Sequence, residues 1–131
     1  MPSLILTPPA TSTNDLTRDF LLAATALFPD AIMWRNNRVN ATFRDKGKRR
    51  HVKAGINGQG DITASIPVTF HGRKFGVRFE FEIKFGSDKQ SLIQKAFEYA
   101  LVRSGGVYLI VRDVAQGIAD LAEIVRRMES E

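Results

Sequence analysis

The sequence predicts an α/β fold, a mixed central β-sheet flanked by helices. Three observations lead there. Stretches with apolar residues at helical spacing alternate with short runs of strand character. His71-Gly72-Arg73-Lys74 reads as a tight turn joining two alternating segments into an antiparallel hairpin. The last third runs strand, helix, strand, which calls for a right-handed crossover and a parallel pair. At 131 residues and 44% hydrophobic content the chain suits one domain with a core of its own.

The elements follow in order. Residues 1–13, rich in Pro, Ser and Thr from Pro2 onward, are expected to form a loose arm, and residues 14–131 the single domain. A helix is predicted over Asn14 to Phe28, with Leu16, Phe20, Ala23, Ala24 and Leu27 on one face. Ser12 or Thr13 caps it and Pro29 lies past its end. Ala31 to Arg35 is a short strand and Asn36-Asn37 a turn. Extended pieces at Val39 to Arg44 and His51 to Ala54 bracket a basic loop, Asp45 to Arg50. Gly55, Gly58 and Gly60 mark a tight loop where backbone passes close to something, and no Gly-Lys-Ser/Thr follows to make it a Walker loop. Strands Asp61 to Phe70 and Phe75 to Phe85 form the hairpin. Ser87 to Gln90 reads as a capping box for a helix burying Ile93, Ala96, Phe97, Ala100 and Leu101, stopped by Gly105-Gly106. Val107 to Val111 is a continuous apolar run, as in a strand covered on both faces. Asp113 with Gln116 caps a last helix that buries Ile118, Leu121, Ala122, Val125 and Met128.

Composition narrows the function. With no cysteine there is no disulfide scaffold, cysteine metal site or thiol nucleophile. Two histidines, His51 and His71, make a histidine-rich zinc centre an unfavourable reading. No apolar run nears the roughly 20 residues of a transmembrane helix, and Met1 to Ala10 lacks a basic signal-peptide region, so a cytoplasmic location is expected. The net charge of +5 is unevenly placed: Arg35, Arg38, Arg44, Lys46, Lys48, Arg49, Arg50 and Lys53 crowd one stretch, with Asp45 its only acid. Such a block fits a phosphate backbone; it also fits a solvated loop that keeps the protein soluble. No aromatic stacking platform is expected outside the core, which speaks against single-strand specialisation.

The chemistry centres on Phe79 to Phe85. Alternation puts Phe79, Phe81, Ile83 and Phe85 on the buried face, and Glu80, Glu82 and Lys84 in a stripe on the solvent side. The hairpin brings Asp61 beside Glu82. Two carboxylates from neighbouring strands can share a hard divalent cation, which polarises a phosphoryl oxygen. A lysine there can hold the attacking water or offset charge on the phosphate. Singly, each residue is an ordinary strand or turn residue.

Together, Trp34-Arg35-Asn36-Asn37, the glycine approach Gly55 to Asp61, Glu82-Ile83-Lys84, Gln94 and the Gly105-Gly106 to Val111 segment resemble the PD-(D/E)xK nuclease superfamily, and more narrowly its VRR-NUC group. The match covers roughly residues 33 to 113. The resemblance implies a restriction-endonuclease-like core. In it Asp61, Glu82 and the backbone carbonyl of Ile83 bind magnesium or manganese, Lys84 positions the attacking water, and Gln94 lies over the site. It also implies a structure-selective DNA endonuclease of the kind found in phages and bacteria, cutting four-way (Holliday) junctions as a homodimer. Flapped, nicked or single-stranded substrates are alternatives, as is a non-catalytic nucleic-acid-binding module. Gly60 stands where the family often has proline. The acid the family often carries in its first helix has only candidates here, Asp15 and Asp19, with Glu80 as a further acid. The expected nucleic-acid contacts are Arg35, Asn37, Arg44, Lys48, Arg49, Arg50 and Lys53, with His51 an additional phosphate candidate.

Overall fold

The structure, a computed structural model, describes residues 10–36, 40–53 and 57–131, with 40–45 and 50–53 described as backbone. The elements are α1 (Thr13–Leu27), β1 (Ile32–Arg35), β2 (Asn40–Asp45), β3 (Lys48–Lys53), β4 (Ile62–Phe70), β5 (Arg73–Ile83), α2 (Leu92–Arg103), β6 (Val107–Val111) and α3 (Val114–Ser130). The main sheet has the order β1-β4-β5-β6. Its first three strands are antiparallel and β6 runs parallel to β5, so the sheet is mixed and flanked by helices as expected.

One face of the sheet carries the core. Ile62, Ala64, Ile66 and Val68 of β4, with Phe79, Phe81 and Ile83 of β5, alternate onto it and pack against Leu16, Phe20, Leu121 and Val125 of α1 and α3. The Phe20 and Phe81 rings meet at 5.0 Å. Fully burying side chains of this size stabilises the fold by about 1.5–3 kcal/mol each. Helix α2 lies on the other face, against β6: Phe97 tilts onto Tyr108 at 6.4 Å, and Leu101 is buried beneath Gly106.

Several expectations shift. The capping box of α2 is Ser91 with Gln94, not Ser87 with Gln90. Residues 86–88 form a turn, held by Arg112 Nη1 donating to the Asp88 carbonyl at 3.0 Å, so the helix starts later. Because α2 covers little of the sheet beyond β6, its apolar contacts to the sheet come from Phe97 and Leu101, and Ile93, Ala96 and Ala100 stay exposed. In α1, Leu27 is exposed and Thr17 is buried in its helix, its hydroxyl donating to the Thr13 carbonyl at 2.7 Å. Ala10 packs against the core and Ser12 caps α1, so the described part of the expected arm is anchored; residues 1–9 lie outside the described residues. The cap of α3 by Asp113 is present, its side chain accepting from Gln116 N–H at 2.8 Å.

The basic loop is a correction of another kind. Residues 40–53 form a separate two-stranded sheet, β2 with β3, closed by the two-residue turn Lys46-Gly47 at φ 52° and 77°. Positive φ at both central residues is the hairpin turn whose twist matches its strands. The cationic residues therefore sit mostly on paired strands.

Candidate active site

The site forms where β4 begins and β5 ends. The backbone N–H of Asn36 donates to the Asp61 carbonyl at 2.8 Å, carrying the β1–β4 pairing past Ile62. Ile62 pairs with Phe81, so one further step sets Asp61 beside Glu82. Asp61 Oδ2 accepts the Ile83 N–H at 2.8 Å, which fixes its carboxylate against β5. Lys84 follows the last residue of β5, and its N–H donates to the Val111 carbonyl at 3.0 Å, extending the parallel ladder. Its ammonium lies 3.5 Å from Glu82 Oε1.

Glu82 is not on a solvent-side stripe. It is 4% exposed and Glu80 0%, because Tyr108, Gln94 and the loop before Asp61 cover this end of the face. A buried carboxylate needs partners. Gln94 supplies one: its Nε2 donates to Glu82 Oε1 at 2.6 Å. The other end of the same amide accepts the Ser91 N–H at 2.9 Å, closing the capping box. The amide is thus held at both ends, and α2 positions Glu82.

Glu80 has a bracing role. Its Oε1 accepts from Arg78 Nη2 at 2.6 Å and its Oε2 from Thr63 Oγ1 at 2.9 Å. Asn36 Nδ2 donates in turn to Thr63 Oγ1 at 2.7 Å and to the Gly60 carbonyl at 2.9 Å. This chain of hydrogen bonds ties β1, β4 and β5 to the loop that delivers Asp61. The glycines of that loop are explained by contact. A Cβ on Gly60 would stand 2.9 Å from the Phe81 carbonyl oxygen. Gly58, at φ +81°, lies directly against the Ile93 carbonyl of α2.

The remaining candidates fall elsewhere. Asp15 accepts from Thr11 Oγ1 at 2.8 Å, and that hydroxyl holds its pKa below the usual carboxylate value; Asp19 pairs with Arg18 Nε at 3.0 Å. Among the described residues no group of three His, Asp or Glu side chains forms a cation site, so neither acid is gathered with Asp61 and Glu82. Arg35 is exposed and donates to Asn14 Oδ1 at 2.5 Å. Lys48 and Arg49 are exposed on β3. Arg44, Arg50, Lys53 and His51 are placed by backbone on the same hairpin, and Asn37 lies outside the described residues. His71 is exposed in the β4–β5 turn. An open apolar hollow lined by Val68, Phe70, Phe75, Val77 and Met128 lies toward that turn and shares no residue with the site.

Tyr108 was not singled out from sequence. It stands across from Glu80 in the β5–β6 register, on the Glu82 side of the sheet, and is 9% exposed. Its hydroxyl faces Gln90, Glu82 and Asp61 but makes no hydrogen bond of ordinary length among the described residues. Burial, and then the Glu82 charge, raise its pKa well above the usual phenol value. The folded protein therefore keeps this proton while the unfolded chain releases it near pH 10. The stability that this group contributes is full below about pH 10 and is lost as pH rises further. In an alkaline unfolding series, Tyr108→Phe is expected to flatten that fall; identical profiles for both proteins would refute the assignment. In sequence Tyr108 is one residue of an apolar run, and only the β5–β6 register brings it to Glu82.

Among the described residues no helix is long and apolar enough to cross a membrane. Searches for similar proteins found no matching family model, curated protein or solved structure.

Proposed function

We propose that the protein is a metal-dependent nuclease of the PD-(D/E)xK type, akin to the VRR-NUC group, that hydrolyses phosphodiester bonds in branched DNA such as four-way junctions, acting as a homodimer. The observation that carries this reading is the meeting of Asp61, Glu82 and Lys84 at one end of the β4–β5 pair, with Gln94 gripping Glu82 from α2. Asp61, Glu82 and the Ile83 carbonyl would hold magnesium or manganese. The donor set fits: these are hard oxygen ligands, and the chain has no cysteine to favour a softer metal. Such a cation supplies positive charge that stabilises the phosphoryl group as its bond is cleaved.

The chain's own residues do the rest. Ile83 N–H and Gln94 fix the two carboxylates, which lowers the reorganisation needed at reaction. Lys84, mostly buried and beside Glu82, is placed to orient the attacking water and to offset charge on the phosphate. The β2–β3 hairpin supports the choice of polymer. Its register sets Arg44 directly across from Arg49, a like-charge pairing that costs stability and that a bound polyanion offsets.

The test is an assay on four-way, flapped, linear duplex and single-stranded DNA with magnesium, manganese or chelator. Metal-dependent cutting, strongest on the four-way junction and lost in Lys84→Ala, is expected. Binding without cutting on any substrate would sink the enzyme reading and leave a nucleic-acid-binding module; preference for linear duplex would sink only the junction assignment. For the hairpin, neutralising Lys48 and Arg49 is expected to reduce the slope of log K against log salt by about 2 on duplex. An unchanged slope would show that these residues do not meet phosphate.

A further inference from the structure

Trp34 is the chain's only tryptophan, and it is not in the core. On β1, Met33 turns toward the core cluster while Ile32 and Trp34 turn the other way, in register with Ser65 and Thr63. That is the face that carries Glu80 and Glu82. Among the described residues α2 packs over the β6 end of this face, and no helix packs over the β1 end. The indole is 48% exposed there and Ile32 beside it is more so. This departs from the expectation that no aromatic platform lies outside the core.

The position is close to the candidate site. Thr63 is across from Trp34, and Asp61 is two residues before it, just ahead of β4. With strands about 4.8 Å apart and about 3.3 Å of rise per residue, the two Cα atoms are roughly 8 Å from each other. On the same face the half-exposed Arg78 guanidinium, across from Ser65, is ion-paired with Glu80, while Arg35 alternates to the opposite face and donates to Asn14 of α1. A flat, exposed aromatic surface on the same face as, and close to, the Asp61 and Glu82 carboxylates matches one nucleotide with its base unstacked.

We infer that Trp34 is a stacking platform for an unpaired base of the nucleic acid, beside the scissile phosphate held at Asp61 and Glu82. The inference rests on the nuclease reading and sharpens it: the substrate presents an unpaired nucleotide at or next to the cut, as a flap or single strand does, and as a four-way junction does once a base pair at its branch point opens. Stacking of a base on an aromatic side chain is worth ~1–3 kcal/mol, a factor of about 5 to 150 in affinity.

A lone tryptophan makes the test direct. The full chain is titrated in chelator with oligo(dT) and with a blunt duplex of equal length, reading tryptophan fluorescence. Quenching that saturates with oligo(dT) and is weak with the duplex is expected. By a label on the DNA, Trp34→Ala should bind oligo(dT) at least about fivefold more weakly, with duplex affinity unchanged and Trp34→Phe restoring much of the loss. Equal quenching by both DNAs, or a Trp34→Ala variant with undiminished oligo(dT) affinity, would overturn the platform. If Trp34→Ala also cleaves every substrate as the parent does, the platform fails and the nuclease reading stands. If the parent binds neither DNA, both fall.

Discussion

Asp61→Asn is expected to leave the fold intact and to slow metal-dependent cleavage by at least about a hundredfold. The asparagine keeps an oxygen where Asp61 Oδ2 accepts the Ile83 N–H, so the register between β4 and β5 is retained. What disappears is the negative charge. A hard divalent cation is drawn by carboxylate charge, and Glu82 alone, already bonded to Gln94 and beside Lys84, is a weak substitute. Raising magnesium should recover part of the rate, because the loss falls first on cation binding. Unchanged thermal unfolding with lost cleavage is the expected pair of results; full activity in the variant would remove Asp61 from the mechanism.

Gly58→Ala is expected to damage fold and site together. The residue has φ +81°, where a Cβ costs roughly 1–2 kcal/mol. The new methyl would also collide with the Ile93 carbonyl and come within 2.9 Å of Phe97 Cβ. Neither neighbour is the flexible end of a side chain, so α2 must move, adding about 1–3 kcal/mol of strain. Ile93 adjoins Gln94, and a displaced helix withdraws the amide from Glu82. A melting temperature lowered by several degrees with reduced activity is expected. A variant as stable and as active as the parent would show that the loop does not set the helix position.

Much of the fold was legible because it depends on local pattern. The opposite facing of Phe79, Phe81 and Ile83 from Glu80 and Glu82, the existence of a hairpin turn after Phe70, and the Asp113 cap are properties of short segments and stand; the turn is tighter than the expected His71 to Lys74, with β5 starting at Arg73. The meeting of Asp61 with Glu82 was legible for the same reason, since one hairpin register determines it. Burial of Glu82 and Glu80 was not. It depends on where α2 and the glycine loop lie, and those placements come from packing between distant segments. The α2 face was misjudged likewise: its periodicity is helical, yet among the sheet strands its apolar side meets β6, and Ile93, Ala96 and Ala100 stay exposed. The burial of Tyr108 beside Glu82 and the exposure of Trp34 were not legible because each is one residue of an apolar-looking strand, and facing is decided by register with a partner strand.

The Gln94 amide spans two structures at once, the first turn of α2 and the Glu82 carboxylate. Unwinding of that turn and loosening of the carboxylate are therefore coupled in energetic terms. Linkage is reciprocal, so whatever stiffens Glu82 must also slow fraying at Ser91. The amides that open in this turn should exchange with deuterium more slowly when the carboxylates are occupied. A helix end usually frays without consequence; this one keeps time for the site.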